Sequence, residues 1–186
     1  MTMPSAMTVG RTAEGHRIRV GGKGTMRESP AVREFAAQAL DGGSGSLVLD
    51  LSACDYLDST FLGCLVVLHK HYGRGCPARF AVAVPSESCR RLMALNKLET
   101  FLPIVGESPR VLGAEIPLPA PGSCSMDLGR HIMECHRQLA EAGGPNQVAF
   151  RRIADQLDHE LVGTRAEAGG AAGLPNRPAA ARLEEY

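Results

Sequence analysis

The chain has 186 residues, in which 20 lysines and arginines balance 20 aspartates and glutamates. This length predicts one ordinary domain with extensions, and the zero net charge argues against a protein that binds nucleic acid or a membrane surface through a basic face. There is no Trp, with only 5 Phe and 3 Tyr, against 21 Gly and 12 Pro. Because aromatic side chains bury the largest areas, we expect part of the chain to lie outside the core.

The N-terminal residues 1–15 lack the basic start and apolar run of a secretory signal. The longest apolar run, Phe61 to Leu68, is too short to cross a bilayer, so we expect a cytoplasmic protein without membrane insertion. The cysteines form no C-x-x-C pair. We expect them to be reduced and mostly buried; they are Cys54, Cys64, Cys76, Cys89, Cys124 and Cys135.

The first predicted strand, His16–Val20, alternates apolar and charged residues. We expect residues 1–14 to be a flexible N-terminus. Glycines 21–22 predict a turn, after which residues 24–26 return as a short second strand. Ser29, followed by a proline, is then the expected cap of the first helix.

That helix is predicted to end near residue 41, where Asp-Gly-Gly follows its apolar stripe. Residues 47–51 are apolar at nearly every position, as expected of a strand buried on both faces. We expect residues 52–57 to form a loop. Asp58 is then a good N-cap for a second helix predicted over residues 59–72.

Alternating apolar residues predict a further strand at 80–84, followed by a third helix at 87–95. A last short strand is expected at 101–105, and Pro103 places it at the edge of the sheet. The resulting order, β-β-α-β-α-β-α-β, indicates an α/β domain with a mostly parallel sheet over residues 15–113.

The composition changes after that domain. Three spaced prolines predict a stiff linker at 114–122. Two amphipathic patterns, at 126–142 and 147–162, predict a helical hairpin within residues 123–163. Residues 164–186 are rich in Ala, Gly, Pro and Arg, and we expect them to form a disordered tail.

The sharpest local feature is an apolar strand ending in Leu49-Asp-Leu-Ser52, followed after a short gap by Asp58-Ser-Thr-Phe-Leu-Gly63. This arrangement delivers a serine, Ser59, to the first turn of a helix. The positive end of the helix dipole favours an added phosphate there. On the pattern alone, Asp58-Ser59-Thr60 is more often only a helix cap.

The wider segment resembles the STAS domain of bacterial anti-sigma factor antagonists. The hallmark of that family is an apolar strand ending in D-L-S, then D-S-[S/T]-G-L-G at the start of a helix. Residues 91–104 are also similar to the family's third helix and the strand that follows it. The resemblance covers roughly residues 15–113 and implies a STAS-like fold, with helices packed on the sheet. It does not extend to the helical hairpin.

The resemblance implies a module that switches partners by phosphorylation of Ser59. Asp58, Thr60, Phe61 and Leu62 would contact the partner. It implies two partners: an anti-sigma factor that is also a serine kinase, with a histidine-kinase-like ATPase fold, and a PP2C-like phosphatase. It implies no enzymatic activity, so no catalytic residue, metal or cofactor is expected.

Phe61 stands where the family has glycine. An exposed ring would block a kinase or anchor a partner, whereas a ring that points inward would leave the switch untouched. An alternative function is therefore a non-phosphorylated STAS adaptor in a sensory or transport-associated assembly, docked through Phe61 and the hairpin. An enzyme ranks third, because there is no G-x-S-x-G motif and the pattern places no histidine beside Ser59.

His131, Cys135 and His136 lie within two turns of the first hairpin helix. His131 and Cys135, four residues apart, could share a metal ion, but two ligands do not make a structural site. We interpret these residues as a mixed helix face.

Overall fold

The computed structural model describes residues 6–42, 45–75, 79–120 and 128–170, with side chains described from 7 to 162 within those ranges. Its strands are β1 (Ala6–Arg11), β2 (Gly15–Gly24), β3 (Ser46–Asp50), β4 (Cys54–Leu57), β5 (Phe80–Ala83), β6 (Ile104–Val105) and β7 (Ile116–Pro117). Its helices are α1 (Ser29–Asp41), α2 (Ser59–Leu68), α3 (Glu87–Leu95), α4 (Leu128–Glu141) and α5 (Gln147–Gly170), and a π-helical turn follows α2 at His69–Gly73.

A mixed sheet lies at the centre of the described chain, in the order β6-β5-β3-β2-β1-β7, with β4 paired to β2. The β2–β3, β3–β5 and β5–β6 pairs are parallel, whereas β1 is antiparallel to β2 and β7. The predicted α/β fold with a mostly parallel sheet is therefore confirmed. β6 lies at the edge of the sheet, as predicted from its proline.

The N-terminal hairpin differs from the prediction. Residues 6–11, expected to be flexible, form β1 and pair with residues 16–21 of β2. β2 continues through glycines 21–22, so the predicted turn there and the return strand at 24–26 are wrong. The chain turns at residues 12–14 instead, between the two antiparallel strands.

Glycine at the end of β2 allows close packing rather than a turn. β4, which spans part of the predicted 52–57 loop, pairs in parallel with residues 22–24 of β2. A Cβ at Gly24 would lie 2.8 Å from the Leu57 side chain and 3.1 Å from the Phe61 ring. Gly24 therefore makes room for the side chains that lie at the start of α2.

Ser29 does not cap α1, contrary to the prediction. The N-cap is Glu28, whose Oε2 accepts hydrogen bonds from the Thr25 N–H (3.0 Å) and the Thr25 hydroxyl (2.6 Å). Ser29 is the first helical residue and is fully buried. Its hydroxyl is therefore available for a contact outside α1.

The start of the predicted linker forms β7, the strand at one edge of the sheet. β7 pairs with β1, and the Glu115 carboxylate forms a salt bridge with Arg17. The Arg17 guanidinium also lies 4.0 Å from Asp50, which accepts a hydrogen bond from the Ser108 hydroxyl at 2.7 Å. Burial raises the pKa of Asp50, but the serine hydrogen bonds and the Arg17 charge outweigh it and leave this pKa below its usual value. This cluster ties the chain after β6 to the sheet.

The predicted C-terminal helical hairpin is confirmed, and α4 packs against both α2 and α5. α5 continues to Gly170, so the first residues of the predicted tail at 164–186 are helical. Residues 171–186 lie outside the described chain, as do residues 121–127, which include the end of the predicted linker and the start of the predicted hairpin. Cys135 and Leu139 of α4 belong to the same buried cluster as the sheet and α2. The hairpin therefore shares the core of the α/β domain.

The described cysteines agree with the prediction of reduced, buried thiols. Cys54, Cys64, Cys89 and Cys135 are free and buried, whereas Cys76 and Cys124 lie outside the described residues. The neighbouring Cys64 thiol and burial raise the pKa of Cys135 above its usual value. Such a thiol stays protonated and unreactive.

Candidate functional site around Ser59

Asp58 fixes the start of α2. Its Oδ1 accepts a hydrogen bond from the Phe61 N–H at 2.8 Å, which is the N-cap geometry that the sequence predicts. Its Oδ2 accepts a second bond from the Met26 N–H, also at 2.8 Å. One carboxylate therefore holds both the first turn of α2 and the connection between β2 and α1. The backbone at Ser59 lies between these two anchors.

Ser59 begins α2 and is partly exposed. Its Oγ lies 3.0 Å from Nε2 of His136, a side chain on α4 that is only 4% exposed. The expectation that no histidine lies near Ser59 is therefore wrong. The contact joins residues that are 77 positions apart in the chain, so no local pattern reports it.

The second ring nitrogen of His136 decides which group donates in this pair. Nδ1 lies 2.9 Å from the carbonyl oxygen of Ile132. A carbonyl only accepts hydrogen bonds, so Nδ1 carries a proton. In the tautomer with this single proton, Nε2 accepts and the Ser59 hydroxyl donates to His136.

A second serine–histidine pair lies deeper in the same interface. Ser29 Oγ of α1 is 2.8 Å from Nε2 of His131 on α4, and both residues are 0% exposed. Burial, together with the nearby Arg33 charge, lowers the pKa of His131 to about 4. His131 is therefore neutral at pH 7, and its hydrogen bond to Ser29 compensates part of the cost of burying it.

Gly63 lets α4 approach α2 at backbone distance. A Cβ at this position would lie 2.2 Å from the carbonyl oxygen of Cys135 and 2.8 Å from its Cβ. Glycine is therefore required on the face of α2 that meets α4. The hairpin contacts the domain through this backbone approach, the two serine–histidine hydrogen bonds and the core packing of Cys135 and Leu139. A salt bridge between Lys70 and Glu141 at 2.6 Å adds to these contacts.

The structure buries most of the predicted partner-binding residues. Thr60, Phe61 and Leu62 are 3%, 0% and 2% exposed, respectively. Phe61 points into the core, which is the inward orientation of the two that the sequence left open, so the ring is not an exposed anchor for a partner. Of the predicted site residues, Asp58 and Ser59 are the two that retain partial exposure.

Sequence analysis missed the role of the α4 histidines. His131, Cys135 and Leu139 recur every four residues, and all three are 0% exposed. A histidine in such an apolar stripe needs a buried hydrogen-bond partner, and this is the signal that was available. It does not identify that partner as a serine on α1 or α2.

The Ser59–His136 pair resembles the nucleophile and base of a serine hydrolase. Its geometry serves a structural contact better. The group that orients the histidine, a carboxylate in a catalytic triad, is here the backbone carbonyl of Ile132. The imidazole is also buried, with the centroid of the Phe150 ring 5.9 Å from its own. A catalytic base must reach a substrate as well as the nucleophile, and α4 and α5 occupy that space.

In the described residues, no group of three or more His, Cys, Asp or Glu side chains is arranged to hold a metal ion. Likewise, over the part of the chain that the structure describes, no helix is long and apolar enough to span a membrane.

Comparison with known proteins places residues 7–105 in a family described as "Mlab, STAS domain". An anti-sigma factor antagonist from Mycobacterium paratuberculosis is similar in structure, with 23% identity, 57% of this chain and 92% of that chain covered, and a TM-score of 0.49. The anti-sigma factor antagonist SpoIIAA in its unphosphorylated form gives 17% identity, 55% and 90% coverage, and a TM-score of 0.47. Among curated proteins, none matches the sequence significantly.

The family model spans more than half of the chain and includes both sequence segments that carry the resemblance. The chain belongs to the STAS domain family.

Proposed function

We propose that this protein is a regulatory, protein-binding module of the anti-sigma factor antagonist type, with Ser59 as its phosphorylation switch. The observation that carries the proposal is the position of Ser59: it begins α2, directly after the Asp58 cap, and the residue is partly exposed. The proposed partner is an anti-sigma factor that is also a serine kinase of the histidine-kinase-like ATPase class. A PP2C-like phosphatase would reverse the modification, and both reactions would take place in the cytoplasm.

A phosphate on Ser59 would change the character of the surface that the partner meets. It adds a charge of nearly −2 beside the Asp58 carboxylate. If that surface is to be covered by a partner, the charge must be desolvated next to a like charge, which disfavours the complex. The helix dipole offsets only part of this cost. The unmodified protein therefore binds the partner, and the phosphorylated protein releases it.

The first test is phosphorylation. Incubation of the full chain with ATP and a histidine-kinase-like ATPase of the anti-sigma type should add one phosphate, detected by intact-mass spectrometry and assigned by fragmentation. Ser59→Ala should abolish the addition. Thr60→Val, which removes the neighbouring hydroxyl with little change in volume, should retain it. Phosphate on Thr60, or an equal yield on the Ser59→Ala variant, would contradict the assignment.

The adaptor alternative has one observation in its favour: α4 lies over Ser59, and a permanently covered serine would not be modified. Because Phe61 is buried, the docking surface of an adaptor would have to lie elsewhere. Val148 and Val162 on α5 are each 64% exposed and are candidates. Partner binding that survives Ser59→Asp but is lost on Val148→Asp would select the adaptor.

A further inference from the structure

The hairpin of α4 and α5 lies over the part of α2 that carries the proposed switch. We propose that this hairpin is a removable intramolecular cover. It occupies the surface that the ATPase partner needs, and it must leave that surface before a partner or kinase can reach Ser59. The proposal rests on the proposed function of Ser59 and concerns the regulation of that site.

The first support is the closeness of the contact. Because a Cβ at Gly63 would overlap the Cys135 backbone, no protein group fits between α2 and α4 while the hairpin is docked. Of the residues just after Ser59, Phe61 packs near Gly24 of β2, and Thr60 and Leu62 are also buried. A protein partner therefore cannot use this face of α2 at the same time as α4.

The second support is that the docked surface includes polar contacts that water can replace. The Ser59–His136 and Ser29–His131 hydrogen bonds, at 3.0 and 2.8 Å, link α4 to the first turns of α2 and α1. A hydrogen bond between neutral groups contributes little net stability when both groups can be hydrated instead. Separation at these two points costs little, whereas separation of Cys135 and Leu139 from the shared core exposes apolar surface and sets most of the cost of opening.

The third support is the exposure of α5. Within the described side chains of α5, up to residue 162, only Ala154 is buried, and α5 packs on α4. Arg137 of α4 lies 3.6 Å from Asp158 of α5. The two helices therefore form one unit that is joined to the domain through α4 and through a hydrogen bond from the Asn146 amide of the hairpin loop to Asn96 at 3.5 Å, and α5 can leave with it.

Phosphorylation requires the Ser59 hydroxyl, which the closed form holds against His136. In the transfer, Ser59 Oγ bonds to the γ-phosphorus of ATP, the bond between that phosphorus and the leaving oxygen of ADP breaks, and the hydroxyl proton passes to the base of the kinase. The product has no hydroxyl proton to donate. The phosphoryl group replaces that proton at a point where Nε2 of His136, a ring only 4% exposed, lies 3.0 Å from Oγ. The larger group must displace the ring, so phosphorylated Ser59 disfavours the return of the cover.

Only molecules with the cover open can bind the partner. The apparent affinity is therefore the intrinsic affinity multiplied by the fraction of molecules that are open. The cover therefore sets a threshold for binding. The hairpin and the partner compete for one surface, and a phosphate on Ser59 weakens both contacts.

The experiment is hydrogen exchange with mass spectrometry on the full chain. Gly63→Ala introduces a Cβ that overlaps Cys135, and we expect the amides of α4 to exchange about tenfold faster or more, with β3 and β5 unchanged. Gly42→Ala is the matched control, because its Cβ would meet only the Gln38 carbonyl oxygen at 3.7 Å. Its exchange should equal that of the unsubstituted protein.

A second form of the chain, with phosphoserine at position 59, keeps the test decisive if Gly63→Ala destabilises the whole domain. Phosphoserine incorporated at position 59 during translation should also speed exchange in α4 about tenfold while the sheet stays protected. Unchanged or slower exchange of α4 in the phosphoserine protein overturns the cover. This result is independent of the kinase: absence of phosphate on Ser59 after incubation with the ATPase would overturn the proposed function without altering the exchange result.

Discussion

Replacement of Phe61 by alanine should lower the free energy of unfolding by about 3–5 kcal/mol. The ring is 0% exposed and lies against the end of β2, where a Cβ on Gly24 would come within 3.1 Å of it. Removal of a fully buried ring forfeits its transfer free energy and leaves a cavity that the surroundings fill only in part. Urea unfolding followed by circular dichroism measures the loss.

Tyr56→Ala is the matched control for that measurement. Tyr56 is also aromatic and lies on β4, close to the start of α2, but it is 45% exposed. Its loss should cost less than about 1 kcal/mol. If Phe61→Ala cost no more than Tyr56→Ala, the ring would not be part of the core, and an exposed anchor at position 61 would again be tenable.

Acidification should destabilise the protein through His131. Its folded pKa is about 4, below the usual value near 6.5, so folding disfavours the protonated ring. The stability that the folded protein gains by keeping His131 neutral is complete above about pH 6.5, and it is lost as the pH falls towards 4. The full loss is about 3 kcal/mol, of which about 2 kcal/mol falls between pH 7 and pH 5. Urea unfolding at these two pH values measures it.

The groups around His131 support this direction. Arg33 of α1 adds a positive charge, whereas Ser29 and Cys135 are neutral neighbours. His69, whose pKa is also lowered by burial and by Arg74, contributes in the same window. The His131→Asn variant isolates the effect: its stability should fall by about 2 kcal/mol less between the two pH values. An equal fall in both proteins would place the titration elsewhere.

The elements that the sequence predicts well are those whose signal is local. The apolar run at 47–51 predicts β3, and the Asp58 carboxylate predicts the start of α2, because strand burial and helix capping involve neighbouring residues. β4 was mistaken for a loop because its two central residues, Asp55 and Tyr56, are exposed and only its ends are buried. β1 was missed because its sequence, Ala-Met-Thr-Val-Gly-Arg, does not alternate clearly between apolar and charged residues.

The candidate site also combines features that depend on local sequence with features that depend on distant residues. The proposed phospho-acceptor, Ser59, follows from a local motif. The inward orientation of Phe61 depends on the pairing of β4 with β2, and the contact with His136 depends on a helix far along the chain. Neither feature has a periodic signature, since both arise from how separate elements pack.

The most direct test of the central claim is the affinity of the ATPase partner for the full chain with Ser59 unmodified and with phosphoserine at that position, measured by titration calorimetry. If the phosphate costs about 3 kcal/mol of binding free energy, the dissociation constant should rise about a hundredfold. Equal affinities for the two proteins would contradict a switch at Ser59.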